Sequence, residues 1–273
     1  MKITTRLVYF FNRLLKIVIK MKILDTDDSI TFLLKEDCSI ARYGDGELEI
    51  MLGKNIHFQN YDPILAKRLI NLLKNNRNEK LKIGVPLAIN TTQGYNERAR
   101  KFWEMNLLTG RMHWYRYGGF KKTFLNASFT RCYMDYELKE ESKIWFERLM
   151  GVWQNKNILI VEGYSSKLGV GNSLFSNAQS IKRILTPSFN SWDSYDVILS
   201  TVVENSSGFD LILASIGPTA TILAADVSSR GLRIIDIGHL NVEYDKYKND
   251  GNATDNILII NEVLYQKQVI YRI

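Results

Sequence analysis

Short apolar runs alternate with amphipathic stretches of three to four turns along most of this chain, and that alternation limits the folds open to it. The runs at Ser39–Tyr43, Leu81–Val85, Met112–Tyr115, Ile158–Val161, Leu211–Ile216 and Leu232–Ile237 have the length and β-prone composition of strands. Between them, Pro63–Leu73, Thr92–Met105, Glu140–Val152, Ser194–Glu204 and Pro218–Ser229 carry apolar residues at helical spacing. Strand and helix in turn predict βαβ units. The expected fold is therefore α/β, a single Rossmann-like domain with a mostly parallel sheet flanked by helices. The 273 residues can bury a core of that size. The aromatic, glycine-containing stretch from Trp114 to Tyr136 reads as a long excursion, a lid or an acceptor-side insertion.

The net charge of +7 is concentrated at one end. Lys2, Arg6, Arg13, Lys16, Lys20 and Lys22 precede the first acid, Asp25, so residues 25–273 carry only about +1. A nearly neutral body argues against nucleic acid as a partner, because phosphate-backbone binding needs basic charge on the folded surface. At about 100° per residue, five of the six cations fall within a sector roughly 80° wide, with Leu7, Phe10, Leu14 and Val18 among the residues elsewhere. Residues 1–24 thus read as a basic amphipathic helix ahead of a domain at 25–273. Such a helix suits docking on an anionic membrane surface through residues 1–22, or packing on protein, since both want the same periodicity. Two cysteines without metal-ligand spacing, Cys38 and Cys132, and no secretory signal predict a cytoplasmic chain, peripheral at the inner face of the membrane if the helix docks there.

In parallel sheets, ligands bind beyond the carboxyl ends of the strands. Four segments at such places carry candidate chemistry. After the first run comes Arg42-Tyr43-Gly44-Asp45-Gly46-Glu47, where two carboxylates leave a turn together. Oxygen ligands of this kind suit Mg²⁺ or Mn²⁺, and Arg42 could hold a phosphate beside them. An Asp-Gly turn with a solvated Glu47 explains the same residues. Glu162 ends another run and leads into Gly163-Tyr164-Ser165-Ser166-Lys167-Leu168-Gly169-Val170-Gly171-Asn172-Ser173, either a phosphate cradle or an ordinary Gly/Ser loop. Gly217-Pro218-Thr219-Ala220-Thr221 opens a helix whose N–H groups and hydroxyls could receive phosphate or sugar oxygens, or simply begin the helix. Asp236-Ile237-Gly238-His239 and Glu243 bring three titratable types within eight residues.

These four motifs, in this order, resemble the GT-D type glycosyltransferases over roughly residues 37–250. The resemblance implies a Rossmann-like fold, a nucleotide-sugar donor that is commonly a uridine diphosphate sugar, and a metal motif falling on Asp45 and Glu47. Two positions depart from the family pattern. Lys167 stands where arginine is usual, which keeps the charge but loses bidentate geometry. Ser173 stands where aspartate is usual, which removes an acid.

The expected activity is metal-dependent transfer of a sugar from a nucleotide donor, UDP foremost, to a hydroxyl of a glycan or lipid-linked acceptor, as in surface polysaccharide or glycoconjugate synthesis. Mn²⁺ or Mg²⁺ on Asp45 and Glu47 would offset charge on the departing diphosphate. Donor contacts are expected from Arg42, Gly44, Ser166, Lys167, Gly169, Gly171, Asn172, Gly217, Thr219 and Thr221. Glu243, ahead of His239, is the expected base for the acceptor hydroxyl, with Asp236 and Glu162 as further candidates. Two other classes compete. A metal-dependent phosphohydrolase would use the same carboxylates but usually adds ligands for a second ion. A non-catalytic membrane-associated scaffold would leave the Asp45/Glu47 pair without a purpose.

Overall fold

The computed structural model describes residues 18–252 and 260–273. Among these residues nine strands form one sheet: β1 (Lys22–Ile23), β2 (Ser39–Arg42), β3 (Leu81–Val85), β4 (Thr123–Asn126), β5 (Asn157–Gly163), β6 (Ser180–Thr186), β7 (Leu211–Ser215), β8 (Ile234–Asp236) and β9 (Val269–Arg272). Their order is β1-β4-β3-β2-β8-β7-β5-β6-β9, and every neighbouring pair is parallel. The α/β, Rossmann-like expectation is met. The central strands are apolar on both faces, as a sheet covered twice by helices requires. Ile158, Leu159, Ile160 and Val161 of β5 and Leu213 and Ala214 of β7 are wholly buried.

The described helices are α1 (Thr26–Lys35), α2 (Asp45–Met51), α3 (Pro63–Asn75), α4 (Glu97–Gly118), α5 (Glu140–Met150), α6 (Tyr195–Glu204), α7 (Pro218–Ser228), α8 (Leu240–Tyr247) and α9 (Glu262–Gln268). Side-chain caps set several starts. Asp62 accepts from the N–H groups of Ile64 and Leu65, with Pro63 in the first turn, and Asn96 accepts from that of Ala99. Gly119 (φ +70°) stops α4.

Several expectations need correction. Met112–Tyr115 is not a strand but lies inside α4, where Trp103, Leu107, Gly110, Trp114 and Gly118 form one buried helical stripe. Helical spacing over the whole segment outweighs the local β-preference of its aromatics. The stretch from Trp114 to Tyr136 is no free excursion: it holds the end of α4 and then β4, which sits in the sheet between β1 and β3. Residues 1–17 of the N-terminal basic segment lie outside the described residues. From Ile19 onward its tail is not helical, and Lys22–Ile23 pairs with Thr123–Phe124 as β1. Met21 is buried there and exchanges two hydrogen bonds with the Asn90 side chain (3.1 and 2.8 Å).

This order creates one topological break. From β2 the chain moves outward to β3, whereas from β8, its neighbour, it moves to β9 at the opposite edge. Between the carboxyl ends of β2 and β8 the connections diverge, and a crevice opens.

Candidate active site

Arg42 and Asp236 close β2 and β8 and meet across the crevice. Arg42 Nη1 lies 3.5 Å from Asp236 Oδ1, and Arg42 Nε donates to the Ala127 carbonyl (2.7 Å). Gly238 follows β8 at φ +46°, and a Cβ there would strike the Arg42 guanidinium, so only glycine lets the two strand ends approach. On the β2 side Gly44 caps α2, and its N–H donates to Glu47 Oε2 (2.6 Å). Asp45 and Glu47 therefore stand in the first turn of α2, facing the same cleft as Asp236.

Burial, and then the negative charge of Asp236, push the Glu47 carboxyl up to about 7, against the Gly44 N–H and Arg42, which pull it down. Burial raises Asp236 as well, with Arg42 opposing. His239 is lowered by burial and then by the charges of Arg42 and Arg131, which favours the neutral imidazole. Its ring meets Phe58 edge-on at 6.1 Å.

The cleft encloses about 660 Å³. Its far wall comes from α4 and the turn after β4: Arg98, Phe102 and Trp103, then Ser128, Arg131 and Asp135. Arg131 forks onto Asp135 (2.7 and 3.0 Å), and Arg98 lies 3.9 Å from the same carboxylate. A second cavity of about 210 Å³ adjoins it and shares Phe58, Gly217, Gly238 and His239. Ser166, Ser188, Ser191 and Ser215 line the second cavity, with Leu168, Pro187 and Ile216 as apolar wall. Among the described residues no Asp, Glu, Lys or Arg lines it, in contrast to the cleft.

Among the sequence-predicted residues, the structure brings Arg42, Gly44, Asp45, Glu47, Asp236, Gly217 and His239 together around the cleft, and Ser166 joins through the second cavity. The others are employed elsewhere. Lys167 is half exposed, pairs with Glu262 (2.9 Å) and lines neither cavity. The Gly169 N–H donates to Asn241 Oδ1 (2.7 Å), and that of Gly171 to the Ile260 carbonyl (2.8 Å). Asn172 is buried and donates to Asn241 and Asp245. These contacts make the loop a staple rather than a cradle. Thr219 is fully buried, and the Thr221 hydroxyl donates to the Arg42 carbonyl (2.8 Å), so Thr221 fixes the end of β2 from below.

Glu243 and Glu162 are corrected for the same reason. Glu243 is wholly buried on α8, where its Oε2 accepts from the N–H groups of Tyr133 (3.0 Å) and Met134 (2.7 Å) and its Oε1 lies 3.6 Å from Arg131. It shapes the turn that carries Arg131 and lines neither cavity. Glu162 is buried against Arg183 (2.5 Å) and accepts from the Leu168 N–H. A buried carboxylate committed to a guanidinium is not free to take a proton from a ligand.

Sequence reasoning missed His57, Phe58, Arg98, Phe102, Trp103, Arg131 and Asp135, all of which line the cleft. Arg131 and Asp135 stood four residues apart as a possible charge pair, but nothing local placed them beside Asp45.

The model of the family described as having the glycosyltransferase GT-D fold matches residues 40–261. Among curated proteins, the probable glycosyl transferase Gly of Streptococcus gordonii is 37% identical over 232 residues, covering 84% of this chain and 33% of that protein. The glycosyltransferase GlyD of Streptococcus pneumoniae serotype 4 is 30% identical over 261 residues, 90% of this chain and 32% of its own. This chain spans about a third of the length of these curated relatives. Among solved structures, a domain of unknown function described as having a distinct glycosyltransferase fold superposes with a TM-score of 0.88 at 33% identity, covering 97% of this chain and 99% of its own. A new glycosyltransferase from Streptococcus sanguinis superposes at 0.83 with 31% identity, over 93% of this chain and all of its own.

Proposed function

The chain belongs to the glycosyltransferase GT-D family, and from that premise we propose that its cleft moves a sugar from a nucleotide donor, a uridine diphosphate sugar, to a hydroxyl of a glycan or lipid-linked acceptor. One observation carries the reading. Two carboxylates on α2 and the Arg42–Asp236 pair converge where the connections of a parallel sheet diverge, at the mouth of a cleft large enough for a diphosphate and a sugar.

A divalent cation fits the donor set. Asp45 and Glu47 are hard oxygen ligands on one short helix, and Glu47 is already under the repulsive field of Asp236, which a cation would relieve. Among the described residues no group of three or more His, Cys, Asp or Glu could hold an ion alone. That suits Mn²⁺ or Mg²⁺ bound through one or two carboxylates and substrate phosphates. When bound, the ion would neutralise charge on the departing diphosphate. Arg42 would add a guanidinium to the same oxygens.

His239 takes the role first given to Glu243. Neutral and placed where the two cavities meet, it would accept the proton of the acceptor hydroxyl as that oxygen bonds to the anomeric carbon. The bond from that carbon to the diphosphate oxygen breaks, and its electron pair leaves with UDP. The neutral second cavity suits the uridine.

No helix among the described residues is long and apolar enough to cross a membrane. The basic segment at residues 1–22 supports a peripheral position on the inner face of the cell membrane, which would suit a lipid-linked acceptor in surface polysaccharide synthesis. A screen of nucleotide sugars for UDP release, with Mn²⁺ and with EDTA, tests the central claim. Release from at least one UDP-sugar, lost with EDTA, is expected. Release that is indifferent to EDTA would remove the metal, and release from none would remove the reading.

A further inference from the structure

The far wall of the cleft differs in chemistry from the wall that carries Arg42, Asp45 and Glu47. Phe102 lines the cleft yet is 46% exposed, while its neighbour Trp103, in edge contact at 5.4 Å, is 5% exposed. Arg98 precedes Phe102 by one helical turn, on the same face of α4. Arg98 in turn lies 3.9 Å from Asp135, whose two oxygens are both engaged by Arg131, and Arg131 Nη1 makes no hydrogen bond to a described residue. Glu243, within 3.6 Å of Arg131 from behind, helps hold that guanidinium in place.

An open aromatic face beside an oriented carboxylate–guanidinium pair matches a pyranose ring. The flat C–H face of such a ring packs on an aromatic side chain, while adjacent hydroxyls donate to a carboxylate and accept from a guanidinium. A free phosphate would find Asp135 repulsive, and a purely apolar ligand would leave the Arg131–Asp135 fork unused. We propose that Arg98, Phe102, Arg131 and Asp135 form a sugar-binding subsite that holds the acceptor's terminal sugar. The acceptor assignment rests on the transferase reading, which places the diphosphate on the α2 wall and the nucleoside in the second cavity. The far wall then presents the acceptor hydroxyl toward His239.

Saturation-transfer NMR with the methyl β-glycosides of glucose, galactose and N-acetylglucosamine tests it on the full chain, with UDP and Mg²⁺ present. Saturation of the ring protons of at least one glycoside is expected in the wild type and in Met112→Ala, a substitution at an exposed α4 residue outside the cleft lining. Phe102→Ala should weaken that binding roughly three- to tenfold, the worth of one stacking contact. Because Phe102 is exposed, this variant should fold; Arg98→Ala, at a side chain 74% exposed, should reproduce part of the loss. Equal saturation in Phe102→Ala, or none in the wild type, overturns the subsite. Displacement of the glycoside by a UDP-sugar but not by UDP would assign the wall to the donor's sugar and overturn the acceptor role. Failure of the wild type to release UDP from any donor would sink the transferase reading instead, and leave the sugar-binding result standing.

Discussion

After β2 the chain runs Tyr43-Gly44-Asp45-Gly46-Glu47, and after β5 it runs Tyr164-Ser165-Ser166-Lys167-Leu168-Gly169, two glycine-punctuated turns leaving the same edge of one sheet. The first keeps its charges at the cleft: Asp45 makes no ion pair among the described residues, and Glu47 bonds only its own helix start. The second gives its groups away. Lys167 goes to Glu262, the Gly169 N–H to Asn241, and Asn172 to Asn241 and Asp245, while Lys248 grips the Gly171 carbonyl (2.7 Å). What separates a binding turn from a structural one is whether the fold has already supplied partners. Polar groups satisfied within the protein have little left for a ligand.

Substitutions at the two turns should therefore fail in opposite ways. Asp45→Asn removes an unpaired charge from the cleft. Transfer should fall by about 10²–10³-fold, the usual cost of losing one electrostatic contact to a transition state, with the thermal midpoint nearly unchanged. Steady-state kinetics beside a thermal melt would show it, and a wild-type rate would break the comparison at its stronger end. Asn172→Ala is the mirror case. It strips a buried side chain of two donated bonds and one accepted from the Leu174 N–H, so stability should drop by about 1–3 kcal/mol. The rate per folded molecule should hold at low temperature, and denaturant melts with kinetics on one sample would separate the two effects.

A smaller effect is expected from Glu47 through pH. In metal-free protein its carboxyl is raised from 4.5 to about 7, so the folded chain holds that proton where the unfolded chain has released it. Its contribution to stability should be complete below pH 4.5 and lost as pH rises through 7. Glu47→Gln should flatten that part of the curve of melting temperature against pH in EDTA. An unchanged slope would mean that neither burial nor the charge of Asp236 raises the Glu47 carboxyl in the folded chain. Lys167→Ala should be the mildest of all, with no measurable change in melting or in rate, because it releases only an exposed pair with Glu262. A marked loss of donor affinity there would put the β5 turn back among the binding elements.

Fold and site were legible to different depths, for physical reasons. Strands β3, β5 and β7 announced themselves because burial on both faces demands unbroken apolar runs. Strand β6 did not, since Ser-Ile-Lys-Arg-Ile-Leu-Thr reads as polar until Arg183 is seen to meet Glu162 on the adjacent strand. That pairing spans 21 positions and leaves no local trace. In the site, Arg42, Asp45 and Glu47 were readable because they directly follow a recognisable strand. Lys167 and Glu243 misled for one shared reason: their partners, Glu262 and the Tyr133–Met134 turn, lie about a hundred residues away. Arg98 and Phe102 became cleft residues only once α4 was packed against α3 and the Leu87–Ile89 turn, a tertiary fact with no sequence period of its own.

The position of β8 between β2 and β7 has a consequence for how the molecule comes into being. A chain leaving the ribosome in order exposes β2 about 190 residues before β8 follows. Strands β1 to β4 can gather early, and β5 to β7 can do so separately, but within the sheet the two groups are joined by β8. Closing so long a loop is entropically costly and tends to come late. Arg42 gains Asp236, and the cleft gains His239, in that same final joining. Competence to bind donor would thus emerge in one step with the completed sheet, and half-made molecules would present no partly working site to the nucleotide pool.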